Sequence, residues 1–180
     1  MDWEVDPKRL AFTFARYKFV AKMLFGLGEV LEVGAESGYM SRIVEQHGCK
    51  VTTIDKANGF DYTKMNVGRR FKAVYALDVL EHIDPEDENA FMLNICSSLV
   101  EHGVCIIGSP SLESQPYATE NLRAGGSEHV NCKTEEGLRK TMKTYFQNVF
   151  IFGMNDETLH TGFGPMCHYR LAVCTTPRSV

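Results

Sequence analysis

The stretch "EVLEVGAESGYMSRIVEQHG", residues 29 to 48, decides how this chain folds. An apolar run carries one acid, Glu32, and is followed by Gly34 and Gly38. The run reads as a buried strand, and the glycines let the backbone turn sharply and approach a ligand closely. "SGYMSRIVEQHG" then reads as an amphipathic helix, with Ser37 as its cap and Gly48 as its stop. A strand that enters such a turn and leaves in a helix is the way an α/β sheet cradles a nucleotide.

The same alternation extends outward from this unit. "PKRLAFTFARYKFVAKMLFGLG" repeats apolar residues at helical spacing and predicts a lead helix over residues 9–26. "KVTTI", "FKAVYAL" and "GVCIIGSPS" predict three more strands, with a helix from Pro85 to about Leu99 before the last of them. Residues 110–134 are polar and read as a long loop containing Gly125 and Gly126. "TEEGLRKTMKTYF" predicts a helix, and "NVFIFGM" and "HYRLAVCT" two final strands. This alternation implies one α/β domain over 1–180, with a Rossmann-like, mostly parallel sheet and helices on both faces.

Composition narrows the function. A formal net charge of −4 argues against a nucleic-acid partner, which would call for a basic stripe. No apolar stretch reaches the roughly 20 residues needed to span a bilayer, so no membrane association is expected. The acidic opening "MDWEVDPKRL" does not read as a signal peptide, and six cysteines without a C-x-x-C pair suit a reduced, cytoplasmic protein.

Three consecutive strand ends carry the informative groups: Gly34 and Gly38 after the first, Asp55 after the second, and Asp78 with Val79 after the third. A carboxylate at Asp55 is placed to accept both hydroxyls of an adenosine ribose. A dinucleotide fingerprint would need glycines where Glu36 and Tyr39 stand, and no phosphate-binding G-x-x-x-x-G-K-[ST] occurs. A nicotinamide oxidoreductase is therefore disfavoured by spacing.

What remains, Glu32-x-Gly34-x-x-x-Gly38, resembles the first motif of class I S-adenosylmethionine-dependent methyltransferases. "YALDVLEHI" and "ICSSLVEHGVCIIGSPS" look like later motifs of the subgroup that includes ubiquinone-biosynthesis enzymes. "ARYKFVAK" and the closing "MNDE", "HTGF" and "MCHY" segments are similar to small methyltransferases encoded beside polysaccharide genes, so the likeness runs over residues 9–175. It implies S-adenosylmethionine as cofactor, and methyl transfer to oxygen or nitrogen of a small molecule, with a sugar or glycan precursor as the suggested class. It also implies a hairpin that inserts an antiparallel last strand. The alternative is a non-catalytic, methyltransferase-like binding module.

Carried over residue by residue, Gly34 and Gly38 would face the methionine part of the cofactor and Glu32 would steady their loop. Asp55 would hold the ribose, Asp78 and Val79 would sit beside the amine or adenosine, and Arg16 would pair with the methionine carboxylate. Two departures from the pattern matter. Glu36 replaces the middle glycine, and either turns to solvent or contacts the amine. Only fifteen residues separate Asp55 from Phe71, too few for the family's usual helix and outer strand. The sheet is therefore expected to lack that edge strand, leaving Asp61 either to meet the adenine amine or to cap a turn.

For the acceptor, His129 and His82 are the candidate bases, since an imidazole titrates near neutrality. His129 would lie on the 110–134 loop, with Glu128 or Asn131 orienting its ring. His160 and His168 read as structural, and His47 and His102 as helix-end residues. Asp78, Glu81 and His82 are spaced like a divalent-ion motif of some relatives and would converge with His129, yet the same "LEH" accompanies metal-free methyltransferases, and no metal is expected. The lead helix, the 110–134 loop and a second copy of the chain in a homodimer would enclose the acceptor.

Overall fold

The computed structural model describes residues 6–117, 128–160 and 162–178. Gly125 and Gly126 lie outside these described residues.

Helix α1 (Pro7–Met23) begins where the Asp6 side chain accepts from the Arg9 N–H and Pro7 fills the first turn. Strand β1 (Gly28–Val33) is buried from Val30 onward, as a strand covered on both faces must be. Helix α2 is confined to Ser41–Glu45, and Ser37 does not cap it. Glu36 and Gly38 both take positive φ, +48° and +69°, so the chain coils through a turn where a longer helix was expected.

Strands β2 (Cys49–Ile54), β3 (Phe71–Leu77) and β4 (Leu99–Pro110) follow, with α3 (Glu88–Ser97) between the last two. Pro85 lies in the turn before α3, and β4 starts four residues earlier than the apolar run suggested, at Leu99 instead of Gly103. Thr134 caps α4 (Glu135–Tyr145), its hydroxyl accepting from the Gly137 N–H. Strands β5 (Phe146–Asn155), β6 (Thr158–His160) and β7 (Tyr169–Pro177) complete the chain.

The seven strands are ordered β2-β1-β3-β4-β7-β5-β6. The first four run parallel, and β7 lies antiparallel between β4 and β5. β2 is an edge strand, as the short connection to β3 demands. The count still reaches seven because β6, a three-residue strand the sequence reading did not foresee, pairs with β5 at the opposite edge. The connection itself forms a 3-10 turn at Lys56–Asn58 and then drives Tyr62, 4% exposed, into the core beside Phe91. The Tyr62 hydroxyl donates to Ser98 Oγ at 2.7 Å, and Asn94 Nδ2 donates to the Tyr62 carbonyl at 2.7 Å. An anchored loop thus replaces the missing helix and strand.

Strand alternation divides the core. Val30, Ala73, Tyr75, Leu77 and Ile106 pack under α1 and α2, whereas Leu31, Val74, Ala76, Cys105 and Ile107 pack under α3 and α4. All six cysteines are free thiols.

Candidate functional site

Parallel pairing of β1 with both β2 and β3 brings their carboxyl ends to one place: Val33 is in register with Ile54 on one side and Ala76 on the other. Gly34, Asp55 and Asp78 therefore line a single cleft of about 1670 Å³. That exceeds the roughly 300–1,000 Å³ of an ordinary ligand site, leaving room for two molecules side by side.

At the first strand end, Gly34 sits at φ +79° and donates its N–H to the Ile54 carbonyl at 2.9 Å. A Cβ there would run into the Val79 Cγ2 methyl. The bare backbone is thus required by Val79, and together they shape the cleft floor. Glu32, behind the turn, is 1% exposed and is absent from the cleft wall. Its carboxylate accepts from the hydroxyls of Tyr17 (2.5 Å), Tyr75 (2.8 Å) and Ser41, tying α1, β3 and α2 to β1. Burial raises its pKa, and the three donors pull it back. Its role is to steady the turn from beneath. Gly38 likewise stands off the wall, where an added Cβ would touch only Thr53 and Ser41.

At the second strand end, Asp55 Oδ2 accepts from the Glu36 N–H and Oδ1 from the Ala57 N–H, both at 2.7 Å. Each oxygen keeps a further lone pair for an incoming hydroxyl. The Glu36 side chain is exposed. Asp61 also lines the cleft but spends Oδ1 on Thr63, accepting from its N–H (3.1 Å) and hydroxyl (2.7 Å). It caps a turn, and Ile54, Phe60, Val79, Ile83 and Phe91 supply an apolar wall around it.

At the third strand end, Asp78 adopts φ +57°, a strained value for a residue with a side chain. Arg16 lines the cleft, and its Nη1 donates to both Asp78 oxygens, at 2.9 and 2.8 Å. The guanidinium also lies 3.7 Å from the centre of the Tyr169 ring. Tyr169 escaped the sequence reading because it comes from β7, 91 positions after Asp78 (169 − 78) and in no local pattern with it.

His82 and His129 line the same cleft, their ring centres 5.0 Å apart. The Glu81 carbonyl accepts from the N–H groups of Val130 (2.8 Å) and Asn131 (3.0 Å), which pins the segment carrying His129 next to His82. Burial lowers the His129 pKa first, and the neighbouring charge of His82 adds to it. The expected orienting residues are not the ones used. Asn131 instead donates to Glu88 at 2.7 Å, and the Glu128 carbonyl faces His82 Nδ1 at 3.3 Å. Gln115 Oε1 meets His129 Nδ1 at 2.9 Å, a contact that no sequence signal marks within the 110–134 segment.

Glu81 is fully buried, and its two carboxyl oxygens have no hydrogen-bond partner among the described residues. Burial, then the charge of Asp78, pushes this carboxyl well above the usual carboxylate range. Ligand-capable atoms of Glu81, His82 and His129 lie within 4.8 Å of one another, so the cluster has the spacing to exchange protons or to hold one cation. His168, which lines the same cleft, approaches Asp156 at 3.5 Å, and His47 Nδ1 bonds the Ile43 carbonyl at 3.0 Å.

Residues 7–146 match the family model described as a methyltransferase domain. Among solved structures, an S-adenosylmethionine-dependent methyltransferase from Archaeoglobus fulgidus is similar with a TM-score of 0.70 and 17% identity, over 94% of each chain. The 1,6-didemethyltoxoflavin-N1-methyltransferase of Burkholderia thailandensis, solved with 1,6-didemethyltoxoflavin and S-adenosylhomocysteine, gives 0.66 and 15%, covering 91% of this chain and 78% of its own. The N-methyltransferase NodS of Bradyrhizobium japonicum, solved with S-adenosylhomocysteine, gives 0.59 and 15%, over 92% and 88%. No curated protein sequence is similar enough to count as a match.

Proposed function

Because this chain belongs to the methyltransferase domain family, we propose that it moves the methyl group of S-adenosylmethionine to an oxygen or nitrogen of a small molecule, with a sugar or glycan precursor as the substrate class. The observation that carries the reading is the single cleft lined by Gly34, Asp55 and Asp78 together with the His82–His129 pair. The residues present suit this cofactor. Gly34 leaves backbone bare for close approach, and Asp55 retains a lone pair on each oxygen for the ribose hydroxyls. Ile54, Phe60 and Ile83 can flank an adenine ring.

When bound, the sulfonium supplies a carbon already activated for in-line displacement. The chain's part is to align the acceptor and take its proton. The acceptor oxygen or nitrogen would take the methyl carbon, and the departing sulfur would keep the electron pair of the bond it loses. The acceptor's proton passes to an imidazole, His129 in this reading, with His82 beside it. Asp78, Val79 and Glu36 would border the methionine portion, and Arg16 would stay with Asp78 as a charge-neutral wall of the site.

Calorimetry with S-adenosylmethionine and S-adenosylhomocysteine tests the cofactor half, and heat is expected with both. Silence with both would overturn the enzyme reading in favour of a binding module. Label transfer from methyl-labelled cofactor to sugars and nucleotide sugars tests the other half. That transfer should survive exhaustive dialysis against a chelator, since the proton is assigned to an imidazole. Loss of transfer that added divalent metal restores would reassign Glu81, His82 and His129 to a cation.

No helix among the described residues is long and apolar enough to cross a membrane.

A further inference from the structure

We infer that Gln115 is a positioning residue that fixes the tautomer of His129, holding the ring proton on Nδ1 and presenting Nε2 as a lone pair. This rests on the reading of His129 as the proton acceptor. The direction of the contact follows from the amide's other end. Gln115 Nε2 lies 3.0 Å from the Ser111 carbonyl oxygen, which can only accept, so the amide nitrogen must point there. The amide oxygen is then the end that meets His129 Nδ1 at 2.9 Å. An amide oxygen only accepts, so Nδ1 must carry the hydrogen. A neutral imidazole has one N–H, and Nε2 is left unprotonated.

The geometry is held from outside the site. Gln115 belongs to the 3-10 segment Leu112–Tyr117. The Ser111 N–H donates to the His168 carbonyl at 2.9 Å, and the Leu112 N–H to the Lys133 carbonyl at 3.0 Å. Glu113 accepts from both terminal nitrogens of Arg170, at 2.7 and 3.0 Å. Arg170 stands on β7, 1% exposed, and also donates to the Lys133 and Gly164 carbonyls. The segment that carries Gln115 is therefore bolted to the central sheet, not merely to the histidine loop. A ring left to itself favours the opposite tautomer, with hydrogen on Nε2 and no lone pair there to accept a proton.

Nuclear magnetic resonance of the full chain carrying ring-nitrogen-labelled histidine tests this directly, at a pH well above the imidazole range. The His129 signals are assigned by their loss in His129→Gln. Wild type is expected to show a pyrrole-type Nδ1 and a pyridine-type Nε2. Gln115→Leu should move the ring to mostly Nε2–H, while Gln115→Glu, which keeps an acceptor oxygen, should retain the wild-type pattern. Melting temperature and cofactor affinity of both variants should match wild type, which excludes a merely structural effect. An Nε2–H ring in wild type, or an unchanged ring in folded Gln115→Leu, overturns the inference. Should His129→Gln leave methyl transfer intact, the proton-acceptor reading falls while the tautomer result stands on its own.

Discussion

Asp55 follows β2 with one backbone donor on each carboxylate oxygen, so its two remaining lone pairs point in fixed directions before any ligand arrives. Such preorganisation makes its hydrogen bonds to a ribose charge-assisted and costs little ordering on binding. Asp55→Ala should weaken S-adenosylmethionine binding by about 2 kcal/mol, roughly thirtyfold in dissociation constant. An unchanged constant by calorimetry would remove Asp55 from the site. Glu32 makes a different residue-scale prediction. Burial raises its folded pKa above the unfolded value, so the stability tied to it is full below the unfolded pKa and is lost as pH rises through the folded one. Tyr75 donates to the ionised form, and removing that donor raises the folded pKa further. Tyr75→Phe should therefore cost little in acid, where Glu32 is protonated in both chains, and about 1–3 kcal/mol at a pH above the folded pKa, where Glu32 is ionised. Denaturant melts at the two extremes check this. An equal cost at both would show that the hydroxyl does not serve the anion.

At the scale of elements, the segment between β2 and β3 shows how a short connection closes an edge. It has no α-helix to cover the sheet, so Tyr62 does so, with Phe60 and Val67 packed against the same core. Tyr62 buries its ring against Phe91 and passes its hydroxyl on to Ser98. Tyr62→Phe should lose about 1 kcal/mol with the hydrogen bond, and Tyr62→Ala about 3–5 kcal/mol with the ring. Phe60 and Asp61 immediately precede it in the cleft wall, so Tyr62→Ala should also weaken cofactor binding where Tyr62→Phe does not. Equal cofactor affinity in the two variants would show that the wall holds without its anchor. The helices were easier to foresee than their ends. Thr134 caps α4 as its sequence position suggests, but α2 starts at Ser41 because two consecutive turns at positive φ precede it.

Across the whole molecule, Arg170 joins pieces far apart in the chain: β7, the Leu112–Tyr117 segment, the Lys133 carbonyl and the turn at Gly164. Its charge is buried, so deleting it alone strands the Glu113 carboxylate and two carbonyls. Arg170→Met should destabilise the fold by about 3–5 kcal/mol, and pairing it with Glu113→Gln should return much of that loss. A double variant no more stable than the single one would mean that the carbonyl contacts outweigh the ion pair. The pattern of alternating strands and helices, the glycine turn and the acids at strand ends were all legible in the sequence. Each is written in neighbouring residues, through the two-residue period of strands, the 3.6-residue period of helices and the special backbone of glycine. The edge position of β2 was legible too, because chain length bounds what a connection can hold. The pairings of Arg16 with Asp78, of Glu32 with three hydroxyls and of His129 with Gln115 were not. Each joins side chains from separate elements, at distances of a few ångströms that no local pattern encodes. Only the packing of α1, β7 and the 112–117 segment against the parallel sheet decides which of several nearby polar groups each of them meets.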